Sequence, residues 1–140
     1  MQRFFPAGGA AVLLFCSVAA GQCVDAEIST EYGFQAQFGR FVDADDERVI
    51  VGSPGRHVDD LFLAGSAHLF ERVGGVWTEV LTVGFDAPQV SAQVGRDVAV
   101  SGDWAAIGAP NLGPPNFGRA LLFERVDGAW ESRGSLSEGD

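Results

Sequence analysis

Four carboxylates crowd into five residues at Asp43, Asp45, Asp46 and Glu47. Oxygen donors at that density suit a hard cation, and calcium takes six or more of them. A second cluster, His57 with Asp59 and Asp60, joins an imidazole to two carboxylates, a donor set able to hold a divalent metal. All three donors lie in one loop with no second segment to close the shell. A solvated acidic turn and a polar loop are therefore the plainer readings, and no metal or cofactor is expected. A hydrolase would need a nucleophile, a base and an orienting acid brought together. The chain has two histidines, His57 and His68. His68 falls inside an apolar strand-like run, which reads as a half-buried structural position. Gly52-Ser53-Pro54-Gly55 lacks the spacing of a nucleophile elbow. Asn111-Leu112-Gly113-Pro114-Pro115 lacks the Lys or Ser/Thr of a phosphate cradle. No catalytic residue is assigned.

These candidates hang on a segment written twice. Gln37-Phe38-Gly39-Arg40, a polar turn, Val49-Ile50-Val51 and Gly52-Ser53-Pro54 return as Gln93-Val94-Gly95-Arg96, a polar turn, Ala105-Ala106-Ile107 and Gly108-Ala109-Pro110, at an offset of 56. Further on, Gly65-Ser66-Ala67-His68-Leu69-Phe70-Glu71-Arg72-Val73 with Trp77 returns as Gly118-Arg119-Ala120-Leu121-Leu122-Phe123-Glu124-Arg125-Val126 with Trp130, at an offset of 53. The Gly/Pro-rich loop between the two blocks absorbs the difference. Each repeat holds four strand-like runs bounded by turn residues: 40–44, 49–52, 67–73 and 76–82, then 97–101, 105–108, 120–126 and 130–133. Gly74-Gly75 and Asp127-Gly128 stand at matching places as hairpin signals. The second run of each repeat is apolar on both faces, which predicts a strand sandwiched between neighbours. Helical periodicity is scarcely supported. Units of this size stack because none can bury its apolar faces alone.

Phe-Gly followed by Gly-Ala-Pro, with Gly-x-Ala-x-x-Phe-Glu-Arg and Trp, resembles the FG-GAP repeat of integrin α-like β-propellers, in its bacterial secreted form. The likeness covers roughly residues 24–140, with Val94 in place of Phe and Ser53 in place of Ala. It implies an all-β fold, a partial β-propeller of two four-stranded antiparallel blades plus an N-terminal strand remnant. In such repeats a calcium loop lies between the first two strands, with ligands at positions one, three, five and nine. Asp43, Asp45 and Glu47 match the first three, but the ninth is Val51, a strand residue. The second copy offers Ala99, Ser101, Asp103 and Ile107. Ca2+ is thus not expected. Glu71-Arg72 and Glu124-Arg125 recur in register, and one member of each should pair with the neighbouring blade. Trp77, Trp130, Phe70 and Phe123 read as inter-blade packing rather than a sugar platform. The resemblance implies protein or glycan binding through the loops at 55–64 and 111–117.

Residues 1–21 read as a secretory signal peptide: Arg3 gives the positive start, Ala10 to Ala20 the apolar run, and Val18, Ala19, Ala20 and Gly21 the small residues at its end. The run is short for a membrane span. Cys16 would leave with it and Cys23 would remain as a single thiol near the mature start. Residues 22–36 read as a connector or outer-strand remnant with a weak strand at 24–28, residues 37–92 as the first repeat and 93–140 as the second, closing on a polar connector at 137–140. A formal charge of −10, with every basic residue an arginine, argues against nucleic acid as partner. The chain is therefore expected to be secreted, extracellular or periplasmic. Its partners would be further blades of a longer chain, a homo-oligomer, or an extracellular protein or glycan. The alternatives are a domain of an exported hydrolase and a nonfunctional fragment of a longer propeller protein.

Overall fold

The computed structural model describes residues 11–16, 23–29, 35–58, 60–84, 89–114 and 117–137. Every element among them is a β-strand, as the alternation of apolar and polar side chains requires. In Asp97–Ser101, for example, Val98 and Val100 are buried while Asp97, Ala99 and Ser101 face solvent. No helix among the described residues is long and apolar enough to cross a membrane.

Strand β1 (Ala11–Cys16) pairs antiparallel with β2 (Cys23–Ser29), in a register that sets Cys16 opposite Cys23. The rest of the expected signal peptide lies outside the described residues. So does the C-terminal connector beyond Ser137.

Two antiparallel sheets of four strands follow, each an up-and-down meander. The first is β3 (Phe41–Ala44), β4 (Arg48–Ser53), β5 (Ser66–Val73) and β6 (Val76–Val83). The second is β7 (Asp97–Ser101), β8 (Trp104–Ala109), β9 (Arg119–Val126) and β10 (Ala129–Leu136). The sheets do not close into a barrel. One strand runs well past its expected end, because Gly134 at φ 97° carries β10 through a bulge after Ser132 instead of stopping it.

The copies match in geometry as well as in letters. Gln37 and Gln93 hold φ at 57° and 54°, and Gly39 and Gly95 at 83° and 82°. The Gly39 and Gly95 amides reach the carbonyls of Gly52 and Gly108 at 3.2 and 3.0 Å. Both hairpin turns, Gly74-Gly75 and Asp127-Gly128, have positive φ at their two central residues, which matches the twist of the flanking strands.

Between the sheets lies one apolar core. Ile50, Leu69 and Val83 of the first meet Val98, Val100 and Ile107 of the second, with Ala92 and Val94 from the β6–β7 connection. Each such side chain contributes about 1.5–3 kcal/mol on burial. Phe123 and Trp130 pack against this core from the second sheet.

Candidate functional site

Meander topology sends every second connection to the same end of the molecule. At one end lie the short turns around Asp45–Glu47, Gly74-Gly75, Gly102-Asp103 and Asp127-Gly128. At the other lie the long connections, residues 54–65, 84–96 and 110–118.

At the short-turn end the acidic cluster fastens one sheet to the other. Asp43 Oδ2 accepts the Val100 amide at 2.8 Å, and Asp45 Oδ2 accepts the Gly102 amide at 3.0 Å. Asp45 Oδ1 accepts the Glu47 amide at 3.1 Å, while Arg48 Nη1 stands 3.5 Å from Oδ2. Burial pushes the Asp45 carboxyl up, but those amides and the Arg48 guanidinium outweigh it and hold the group below its ordinary value. Asp46 and Glu47 are exposed in the turn. The carboxylates thus face backbone amides of the second sheet, and among the described residues no three His, Cys, Asp or Glu side chains converge as a metal site. Asp43→Ala should therefore cost about 1–3 kcal/mol by stranding the half-buried Val100 amide. Urea unfolding, run with and without calcium chloride, should give the same loss in both.

Beside this lies the polar centre of the inter-sheet contact. Trp130 Nε1 donates to Glu71 Oε1 at 2.9 Å, Arg125 Nη2 to Glu71 Oε2 at 3.3 Å, and Arg48 Nε to Glu71 Oε1 at 3.3 Å. Arg125 Nε lies 2.8 Å from Oε1, yet it makes no hydrogen bond, so that approach is ionic only. The repeated Glu-Arg pair does reach across the sheets, as its register predicts.

His57 is exposed, its ring 4.6 Å from that of Phe62. Asp60 sits at φ 66° in the tight turn closed by Val58 and Leu61. Asp59 lies outside the described residues.

His68 corrects the half-buried expectation: it is 0% exposed, as is Ser66. Ser66 Oγ lies 2.9 Å from His68 Nε2, and His68 Nδ1 lies 2.7 Å from Glu79 Oε1. Thr82 Oγ1 donates to the same carboxylate at 2.6 Å, and the Phe38 ring stands edge-on to the imidazole at 5.5 Å. Ser66 and His68 share a face of β5 by their spacing of two. Glu79 reaches them because a bulge between Leu69 and Phe70 shifts the β5–β6 register. The order serine, histidine, glutamate has the connectivity of an acyl-transfer relay. In this arrangement no substrate carbonyl has a path to Oγ, so the three groups satisfy one another as a buried polar network.

The hydrogen bond from His68, working against burial and helped by Thr82, holds the Glu79 carboxyl below its ordinary value. A carboxyl depressed in the folded state contributes stability that is fully present above its unfolded value, near 4.5, and is lost as pH falls through the lower folded value. Melting temperature followed from pH 6 down should fall in that window, and Glu79→Gln should flatten the fall.

At the long-connection end the two copies of Gln-x-x-Arg converge. Gln37, Arg40, Gln93 and Arg96 surround a cleft of about 130 Å³ with Phe41, Pro54 and Leu63. Arg40 Nη1 donates to Gln37 Oε1 at 3.0 Å, and Arg96 to Gln93 Oε1 in the same way. Neither guanidinium has a carboxylate partner among the described residues. Close by, Gln89 ties Asn111 and Gly113 to the connection, and the amides of Ser91, Gln93 and Val94 bond to Phe62, Leu63 and Ala64. Phe62 and Phe117 remain exposed. Sequence reasoning pointed to the loops but missed this cleft, although the repeated Gln-x-x-Arg was its visible signal.

No protein-family model matches the chain, and none of the curated proteins is significantly similar to it.

Proposed function

We propose that the protein is a noncatalytic exported module of the FG-GAP class, an incomplete β-propeller that recognises an extracellular ligand at its long-connection end. The observation that carries this reading is the convergence of Arg40 and Arg96, one from each repeat, on a single small cleft in a chain of net charge −10. Two guanidiniums held by neighbouring side-chain amides, with no acidic partner among the described residues, are preorganised for a carboxylate. The exposed Phe62 and Phe117 add apolar surface at the same end. An acidic glycan, such as one bearing uronic acids, fits this chemistry. Arrayed acidic and neutral glycans should separate in binding. Arg40→Ala with Arg96→Ala should lower acidic-glycan binding at least about tenfold, the loss of one to two charge-assisted bonds, without shifting the melting temperature. Equal binding of neutral glycans, or binding indifferent to the double substitution, would overturn the assignment.

The Ser66–His68–Glu79 chain is the observation on the side of a hydrolase. Its burial favours the binding reading, and failure of a fluorophosphonate probe to label Ser66 in the folded protein is the expected result.

A further inference from the structure

The outer face of the first sheet is open only in part among the described residues: Val42, Ala44 and Arg72 are exposed there, whereas Val51, His68 and Phe70 on the same face are buried. Val98, Val100, Ala105 and Ile107 of the second sheet are buried against the first, and their repeat counterparts are Val42, Ala44, Val49 and Val51. On the far side of the first sheet Val42, Val49 and Val51 line an open cleft of about 450 Å³ together with Phe38, Arg72, Trp77 and, from β2 at its rim, Ile28. Arg72 and Trp77 are the counterparts of Arg125 and Trp130, the two residues that hold Glu71 across the sheets. Neither has a side-chain partner among the described residues. The counterpart of Glu71 is Glu124, which faces the opposite way from the core on the outer side of the second sheet. There it meets Arg133 at 2.7 Å.

We propose that a second copy of this chain docks its outer second-sheet face onto the outer first-sheet face of the first copy, with Glu124 of one copy received by Arg72 and Trp77 of the other. This deepens the reading of an incomplete propeller and rests on it. The internal contact is the template: one side offers valines with an Arg and an indole N–H, the other an acid at the matching place. On the docking copy Leu122 stands where Leu69 stands in the template, and Ala106 where Ile50 stands. Ala99 replaces Asp43, so the carboxylate bond to the facing strand is missing and the contact between copies is weaker than the one within the chain. Because the two faces differ, the contact is head-to-tail, and it gives a ring if the rotation closes.

Sedimentation of the full chain over a range of concentrations tests this. Wild type should pass from monomer to larger species as concentration rises. Arg72→Glu sets Glu against Glu124, and Glu124→Arg sets Arg against Arg72. Each should weaken self-association by about tenfold or more, because like charges then meet in the contact. An equimolar mixture of the two variants should associate again, since every contact in it pairs opposite charges. A wild type that stays monomeric throughout, variants that associate as well as wild type, or a mixture that fails to recover would each overturn the proposal. Unchanged melting temperatures in both variants separate loss of docking from loss of folding. A monomer that still binds acidic glycans would sink the docking contact while leaving the recognition site standing.

Discussion

Gly95→Ala is expected to cost on the order of 3–5 kcal/mol and to leave much of the chain unfolded under mild denaturant, combining overpacking with a strained φ. A Cβ at Gly95 would lie 2.2 Å from the Ser66 carbonyl oxygen, and the backbone there holds φ at +82°. The obstacle is backbone of the β5 start, which cannot swing aside as a side chain would. Its repeat counterpart provides the control. Gly39 has nearly the same φ, +83°, yet a Cβ there would meet nothing within 4 Å. Gly39→Ala should therefore cost only the conformational part, about 1–2 kcal/mol. Urea midpoints of the two variants, measured side by side, isolate the price of forcing the sheets apart. Equal losses at both positions would show that the close approach is not what binds sheet to sheet.

Glu71→Ala should be nearly as damaging, at about 3–5 kcal/mol, because it strands partners in a largely buried place. The Glu71 side chain is 12% exposed and receives Arg48, Arg125 and the Trp130 indole. Removing it leaves two guanidiniums facing each other with nothing between them. Glu71→Gln keeps an oxygen for Trp130 and should lose less. Glu124→Ala, at the counterpart position, loses a more exposed pair with Arg133 and should change stability by no more than about 1 kcal/mol. Thermal or urea unfolding of these three variants, with fluorescence of the tryptophans as the signal, checks the order. A Glu71→Ala variant as stable as Glu124→Ala would contradict the account of the inter-sheet contact.

Much of the fold was legible because repetition disciplines the reading. The run read at 105–108 had its counterpart at 49–52 at the same offset, and the two stand in the structure as Trp104–Ala109 and Arg48–Ser53. The hairpins were readable from Gly74-Gly75 and Asp127-Gly128, since few residues tolerate two positive φ angles in succession. That one member of each repeated Glu-Arg pair reaches the neighbouring sheet followed from alternation along a strand; that Glu71 meets Arg125 there is seen only in the structure. Other features left no trace in the letters. Asp43 and Asp45 looked like cation ligands because their true partners are backbone amides, which every sequence carries and none displays. The Ser66–His68–Glu79 network escaped because a bulge brings Glu79 into line, and a bulge of that kind has no residue signature here. β10 was read too short for the opposite reason: Gly134 and Ser135 resemble breakers, whereas positive φ at Gly134 lets the pairing resume.

The equivalence of the two copies extends to the joints: Gly55 and Asn111 reach back to the carbonyls of Ala36 and Ala92 at 3.1 and 3.4 Å. Each unit is sewn to whatever precedes it by the same stitch, made of main-chain atoms. A gene that gained or lost a whole unit by unequal recombination would restore every seam at once, so lineages can change the number of units without first redesigning how they join.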